Sequence, residues 1–271
     1  MIIVAAGCSF IWGTELKDCR HHGPMGYSLS TWPANLAKNQ NADYACVAES
    51  GCGNTIIARN IINFCENNTD VFPIVQWTWP FRFDFKAIGI NATKWETLGP
   101  WQADEQFRPG EKLTEEDGLF EYARKNNEKA KMTGIDTLAN VFFKYVGSHE
   151  YWPIYSTFKE IVFLQNYLKN KGIPYLFTCA DATSLFYNYT VEKENDPFIK
   201  DLLNQIDMNN WVLFPPGTRG DETKTPRGFY QWAVENKYAI APGGHPLEQA
   251  HIDASTMMQE KFNELVKEHL Q

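Results

Sequence analysis

The chain contains 271 residues, of which 44% are hydrophobic, and it carries a formal net charge of −8 at pH 7. This length fits one domain with insertions or two small domains, and the apolar content excludes global disorder. The acidic charge argues against a nucleic-acid backbone or an anionic membrane as the main partner. We therefore expect neither nucleic acid nor a membrane as a partner, and the oligomeric state stays open.

No segment of the sequence is typical of a targeting signal or a membrane span. The apolar run at the N-terminus is short and lacks a basic flank, and no stretch approaches the ~18 apolar residues of a membrane helix. The six cysteines form no pair of C-x-x-C motifs, which predicts reduced cysteines in a cytoplasmic protein. Cys19, His21 and His22 resemble half of a metal site, but without a second half they predict an exposed loop. We expect no metal and no cofactor.

In chain order, the N-terminal part alternates short apolar runs with amphipathic segments. Residues 2–6 are an apolar run that ends in small residues, which is typical of a central parallel strand. Residues 30–39 begin with a cap candidate and carry a proline in the first turn, which predicts a helix. The next predicted elements are a strand at 44–48, a helix at 54–66 and a strand at 71–78.

The C-terminal part continues the same alternation. It contains an amphipathic helix at 155–171 that ends at Gly172, a strand at 174–179 and a closing helix at 247–270. Strands that alternate with helices imply right-handed crossovers and a parallel sheet. The sequence therefore predicts one α/β domain over residues 1–271.

Two long insertions interrupt the alternation. Residues 83–152 separate a strand from the next helix, and a segment of that length usually has its own structure and often covers a site. We interpret it as a partly helical lid, with three tryptophans available as an apolar wall: Trp95, Trp101 and Trp152. Residues 181–228 form a second, irregular insertion.

Residues with chemical potential stand at several strand ends. Ser9 follows the first strand, between Gly7 and Gly13, and His245 precedes the closing helix. The carboxyl ends of parallel strands meet at one edge of the sheet, where α/β proteins bind ligands. Gly53 follows the second strand, and a glycine there exposes a backbone N–H that can hold an oxyanion. Arg82 and Glu49 at strand ends are interpreted either as a substrate clamp or as a structural ion pair.

These residues occur in three sequence blocks. Gly7-Cys8-Ser9-Phe10 with Gly13 and Leu16 resembles the first block of the SGNH or GDSL-type hydrolase superfamily, with Cys8 in place of the usual Asp. The segment 50–55 resembles the second block and His245-Pro246 the final one. The form of the blocks is most similar to divergent, phage-encoded members, which places the protein in a host cytoplasm or a virion.

The resemblance implies a fold and a site. The fold is a flavodoxin-like, three-layer α/β/α sandwich with a five-stranded parallel sheet. Ser9 is the nucleophile and His245 its base, while the N–H groups of Ser9 and Gly53 and a block-three Asn form the oxyanion hole. An Asp three residues before the histidine orients the imidazole.

Two family residues are missing from this chain. The stretch after the third strand is Trp77-Thr78-Trp79-Pro80, without the Asn, so Thr78 or Arg82 is the remaining candidate for the third oxyanion donor. Position 242 is Pro in place of Asp. Four alternatives for orienting His245 stay open: Asp221, Glu222, Glu248 or a backbone carbonyl.

The leading hypothesis is a serine ester hydrolase that forms an acyl-serine intermediate, acting on a short acyl ester of a glycan or small metabolite. The expected substrate contacts are Glu49, Asn54, Trp77 and Trp79, although core packing is the more common role for one or both of these tryptophans. The alternative hypothesis is a catalytically degenerate SGNH fold that serves as a binding or structural, virion-associated protein. The missing Asn and Asp favour this alternative.

Overall fold

The protein is built on a parallel four-stranded sheet. The computed structural model describes residues 1–19, 26–87, 95–108, 120–149, 151–182, 185, 196–216 and 225–269. The strands of the sheet are β1 (Ile2–Ala6), β2 (Asp43–Cys46), β3 (Val71–Trp77) and β6 (Leu176–Cys179). Their order in space is β2-β1-β3-β6, and each neighbouring pair is parallel. A second sheet is an antiparallel hairpin of β4 (Phe83–Lys86) and β5 (Trp95–Leu98).

The helices are numbered along the described chain. They are α1 (Ser9–Trp12), α2 (Trp32–Asn39), α3 (Asn54–Asn67), α4 (Phe120–Thr133), α5 (Ile135–Phe142), α6 (Tyr151–Lys171), α7 (Pro197–Gln205), α8 (Phe229–Glu235) and α9 (Glu248–His269). A π-helical turn, Phe143–Gly147, continues α5, and short 3₁₀ turns cover Pro100–Gln102, Glu105–Phe107 and Met208–Asn210. The predicted helices at 30–39, 54–66, 155–171 and 247–270 correspond to α2, α3, α6 and α9.

The strand order places helices on both faces of the sheet. The chain moves from β1 to β2 through α2 and then returns past β1 to β3 through α3. Right-handed crossovers in opposite directions put their helices on opposite faces. Accordingly, α2 packs against α9 and α3 packs against α6. The direction of winding reverses between β1 and β3, so a ligand crevice is expected at their carboxyl ends.

The predicted fifth strand is reduced to a single bridge. Trp211 lies beside Phe177 of β6, and the Val212 N–H donates to the Phe177 carbonyl at 2.9 Å. Phe214 then turns away and exchanges two backbone hydrogen bonds with Arg227. Because the segment leaves the edge of β6 after one residue pair, the described part of the chain contains four parallel strands rather than five.

The insertion after β3 has an apolar cluster of its own. Leu98, Ala103, Ala139 and Phe143 are buried together there, separately from the core around the parallel sheet. Asp84 fixes the hairpin to the sheet domain, because its carboxylate accepts the N–H groups of Gly53 and Ile56 at the start of α3, both at 2.9 Å. These N–H groups have no partner within the helix, so a distant carboxylate caps it. Because α4 and α5 lie in it, the insertion is partly helical over its described residues.

None of the helices in the described part of the chain combines the length and the apolar composition that a membrane-spanning helix needs.

Candidate functional site

A cavity opens at the carboxyl edge of the sheet, where the winding reverses. Its volume is about 140 Å³. Its walls come from five places: the turn after β1, the loop after β3, the insertion, helix α8 and the segment that precedes α9. The residues that line it are Ser9, Phe10, Trp79, Arg82, Trp101, Tyr230, Gly243, Gly244 and His245.

Ser9 is presented by the sharp turn that follows β1. It is the first residue of the one-turn helix α1 and is 8% exposed. Gly13 ends this helix in the left-handed conformation, with φ of 78°, and its N–H donates to the Ser9 carbonyl at 2.9 Å. A Cβ at Gly13 would stand 2.4 Å from Ser28, so only glycine fits. The turn therefore holds Ser9 at the end of a buried strand and in the cavity wall.

His245 lies in a tight loop that is closed by its own backbone. The Ala241 N–H donates to the His245 carbonyl and the Gly244 N–H to the Ala241 carbonyl, both at 2.9 Å. Ile240 and Pro246 form an antiparallel bridge at the base of the loop. The chain thus places Ser9 and His245, which are separated by more than 230 residues, on the same cavity.

The carboxylate beside His245 belongs to Glu15. Its Oε2 lies 2.5 Å from His245 Nδ1, and both of its oxygens accept the Gly243 N–H at 3.1 Å. Of the orienting groups considered from sequence, Glu248 accepts the Lys17 N–H instead, and Asp221 and Glu222 lie outside the described residues. The sequence analysis missed Glu15, because it looked for an acid near His245 along the chain. The useful signal was its position, since the turn after the first strand lies at the same sheet edge.

Aromatic side chains form most of the cavity wall. The Phe10 ring contacts three other rings of the cavity wall, those of Trp79, Tyr230 and His245, at centroid distances of 5.4, 5.9 and 5.4 Å. The His245 contact is edge-to-face, at 87°, which favours one ring orientation. Tyr230, in the short helix α8, was not expected from sequence. The large apolar area suits a hydrophobic or flat ligand group.

The two tryptophans predicted as substrate contacts separate in the structure. Trp79 lies beyond the end of β3 and lines the cavity. Trp77 is 1% exposed and packs edge-to-face on Phe177 of the neighbouring strand, so its assignment as a substrate contact is wrong. The reason is topological, because β3 is an interior strand with both faces covered by helices.

Arg82 is the cationic residue of the cavity lining. Its guanidinium lies over the Trp79 ring at 5.3 Å, and Nη1 donates to the Cys52 carbonyl at 2.9 Å. Its Nε is buried and has no hydrogen-bond partner among the described residues. Glu49, its proposed ion-pair partner, accepts instead from Asn60 at 2.8 Å. Arg82 therefore brings positive charge to the wall that also contains Ser9.

Three other predicted site residues are engaged in holding the fold. The Gly53 N–H donates to Asp84, so it would have to exchange this partner to bind an oxyanion. The side chain of Asn54 is buried and bonds both backbone groups of Thr78 as well as the Thr157 hydroxyl. The assignment of Asn54 to substrate binding is therefore wrong. Thr78 is 2% exposed, and its buried hydroxyl has no partner in the described part of the chain.

Burial raises the pKa of Asp84, while the hydrogen bonds from Thr97, Ile56 and Gly53 oppose that shift. A carboxylate with three donors remains a good acceptor, which explains why it keeps the Gly53 N–H.

A second cavity of about 310 Å³ adjoins the first, because Trp101 lines both. Its wall is mainly polar and includes Glu49, the remaining expected substrate contact, together with Trp95 and Glu96. Of the three insertion tryptophans, Trp101 reaches the Ser9 cavity and Trp95 the second one. Trp152 packs instead on Phe83 and Phe142, at 5.4 and 5.0 Å.

No group of three or more metal-ligating side chains occurs among the residues that the structure describes. Of the Cys19-x-His21-His22 segment, both histidines lie outside those residues.

Comparisons with known proteins show a distant likeness to one solved structure. No family model and no curated protein matches the chain. Among solved structures, the chain is similar to a carbohydrate esterase family 2 enzyme with a carbohydrate-binding domain from Corynascus thermopiles (Myceliophthora fergusii). The two are 9% identical with a TM-score of 0.46, over 98% of this chain and 66% of that chain. This chain therefore spans slightly less than two thirds of the neighbour's length.

Proposed function

We propose that the protein is a serine ester hydrolase of the SGNH type, with Ser9 as nucleophile and His245 as general base. The observation that supports this most directly is that both side chains line one cavity at the switch point of a parallel sheet. A hydroxyl becomes a good nucleophile when an adjacent imidazole takes its proton. The three sequence blocks around Ser9, Gly53 and His245 agree with this role.

The reaction has two halves. In the first, Ser9 Oγ attacks the ester carbonyl while His245 Nε2 takes the hydroxyl proton; the C–O bond then breaks and the proton passes to the leaving alcohol. In the second, His245 takes a proton from water, the hydroxide attacks the acyl-serine, and the acid leaves as Ser9 regains its proton. No other reactant is required.

Arg82 is the proposed third donor to the oxyanion, beside the Ser9 N–H. It is the cation in the wall of the Ser9 cavity, whereas the Gly53 N–H is bound to Asp84 and the Thr78 hydroxyl is buried. Gly53 contributes as a donor only after the Asp84 contact is exchanged. Loss of one oxyanion donor reduces turnover by roughly 10²–10³. Arg82→Gln is therefore expected to lower kcat by about that factor.

The cavity favours a small acyl group. Its volume of about 140 Å³ and its aromatic wall suit an acetyl, a short acyl chain or one ring. The adjoining polar cavity, with Glu49 in its wall, suits the alcohol part of the ester, such as a glycan or a small metabolite.

A fluorophosphonate probe tests this function. The wild-type protein is expected to be labelled covalently, and Ser9→Ala to lose both labelling and turnover of short acyl esters. Ser148→Ala, which changes an exposed serine of the insertion, is the matched control and is expected to keep both. Labelling that persists in Ser9→Ala contradicts the proposal.

The second candidate is a binding or structural module on the same fold. The Gly53 N–H that donates to Asp84 favours it, because an oxyanion hole then lacks one of its usual donors. An absence of labelling at high probe concentration, together with full folding, supports this candidate.

A further inference from the structure

We propose that Glu15 is the positioning residue of this site and replaces the acid that the family carries before its histidine. The inference rests on the proposed hydrolase function, in which His245 is the base. Glu15 lies in the same turn as the nucleophile. The position at which the family carries its acid, 242, is Pro in this chain.

The Glu15 carboxylate contacts both the imidazole ring of His245 and the backbone of Gly243. Glu15 Oε2 lies 2.5 Å from His245 Nδ1, and the Gly243 N–H donates to both carboxylate oxygens at 3.1 Å. The side chains of His245 and Glu15 are only 12% and 29% exposed, so the contact is partly shielded from water. Charge-assisted hydrogen bonds in such surroundings are stronger than those at an open surface. The carboxylate is therefore fixed before any substrate binds.

The backbone is adapted to this contact at both ends. Glu15 has φ of 69°, in the left-handed region that a glutamate rarely adopts. Such a conformation is strained, and it persists where the surroundings require it. On the other side, a Cβ at Gly243 would lie 2.5 Å from Glu15 Oε2. A side chain at position 243 would therefore displace the carboxylate.

The other charged groups around this loop act elsewhere. Glu248 accepts the Lys17 N–H at 3.0 Å, and Asp18 accepts from Ser28 and Leu29. His251 is buried, and Arg82 lies in the cavity wall, where it donates to Cys52. Glu15 is therefore the described carboxylate that contacts the His245 ring.

The role of Glu15 is to hold one tautomer. With the Nδ1 proton donated to Glu15, Nε2 carries the free electron pair that takes the Ser9 proton. When Nε2 is protonated, the imidazolium stands next to a negative charge, and the Nδ1 proton stays on the ring. No proton is transferred to Glu15.

Kinetics of three variants test the proposal. Glu15→Gln is expected to lower kcat by ~10²–10⁴ with little change in KM, as for comparable losses of the orienting acid. The acid limb of its kcat/KM–pH profile is expected to move to lower pH, because the imidazolium loses its counter-charge. Glu15→Asp keeps the charge at a longer distance and should recover part of kcat. Glu248→Gln, the matched control, is expected to keep the wild-type profile.

A measurement that does not depend on turnover completes the test. The NMR spectrum of the wild-type protein should contain a strongly deshielded imidazole N–H proton that disappears in His245→Gln and Glu15→Gln and persists in Glu248→Gln. Gly243→Ala leaves every ionisable group in place and is expected to weaken this signal and kcat together.

The outcomes separate the two proposals. If Glu15→Gln keeps wild-type kcat and pH profile while Ser9→Ala is inactive, Glu15 is not a positioning residue and the hydrolase function stands. If wild-type protein shows neither turnover nor labelling, or if Ser9→Ala keeps them, the function fails and the role of Glu15 fails with it.

Discussion

His251 stands six residues after His245, but its environment gives it the opposite chemistry. It is 1% exposed, and its Nδ1 accepts the backbone N–H of Trp32 at 3.1 Å. Burial lowers the pKa of His251 to about 3. His251 is therefore a histidine of the core. Of these two histidines, His251 is thus a neutral side chain of the core, whereas His245 lines the cavity.

The buried histidine makes stability depend on pH. Below about pH 6.5 the unfolded chain protonates His251 while the folded chain does not, so stability falls as pH decreases toward 3. The expected loss from this group between pH 7 and pH 4 is about 3 kcal/mol. His251→Asn keeps an acceptor for Trp32 and should show a shallower dependence in urea denaturation across this range. His149→Asn, at an exposed position, is the control. Equal slopes for wild type and His251→Asn would contradict this account.

At the scale of elements, Asp84 connects two parts that are distant in sequence. It belongs to the hairpin of the insertion, yet its carboxylate caps α3 and also accepts the Thr97 hydroxyl at 2.6 Å. Asn54 makes a comparable link between the start of α3 and the end of β3 through Thr78. The start of α3 is thus fixed by the Asp84 side chain of the hairpin rather than by a side chain of its own N-cap residue. The same contacts fix the position of Gly53.

Replacing Asp84 by Ala removes the acceptor of three donors. Two of these donors are buried N–H groups, and each buried donor left without a partner costs about 1–3 kcal/mol. We expect Asp84→Ala to destabilise the protein by about 2–4 kcal/mol in chemical denaturation. Lys86→Ala, two residues later on the same strand and exposed, should change stability by less than about 0.5 kcal/mol. A small effect of Asp84→Ala would show that water replaces the carboxylate.

At the scale of the whole molecule, the site is assembled from both ends of the chain and from the insertion. The turn after β1 meets the His245 loop through Glu15, and Lys17 meets the start of α9 through Glu248. The insertion adds Trp101 to the same cavity. Such long-range assembly means that the site exists only when the whole sheet has formed.

Variants of two tryptophans distinguish the effect of the insertion on substrate preference from its effect on protein stability. Trp101→Ala enlarges the Ser9 cavity, so the ratio of kcat/KM for longer over shorter acyl esters is expected to rise, with little loss of stability. Trp152→Ala removes packing on Phe83 and Phe142 and is expected to lower the melting temperature while leaving the ratio unchanged. Esters of graded acyl length provide the measurement. An unchanged ratio in Trp101→Ala would mean that the acyl group binds elsewhere.

The local elements and their alternation could be predicted from the sequence. Buried apolar runs and amphipathic segments predicted the four described parallel strands and α2, α3, α6 and α9, because periodicity follows directly from backbone geometry. It also placed Ser9 and His245 at the same sheet edge, since parallel strands bring their carboxyl ends together. The fifth strand was expected beside β6, but the segment that follows the Trp211 bridge pairs through Phe214 with Arg227 instead. Local sequence patterns do not show which backbone partner such a segment takes.

The contacts between distant side chains, in contrast, follow from the tertiary structure. The carboxylate of Glu15 reaches His245 across 230 residues, and Asp84 takes the N–H of Gly53 across 31. Neither contact can be derived from residue spacing or composition, and the position of Glu15 in the turn after β1 indicates only that it lies at the same sheet edge as His245. Likewise, Trp77 and Trp79 differ by two positions but separate into core and cavity, because the strand ends between them. Side-chain partners are fixed by the register and closure of the sheet, which are long-range properties that local sequence patterns do not contain.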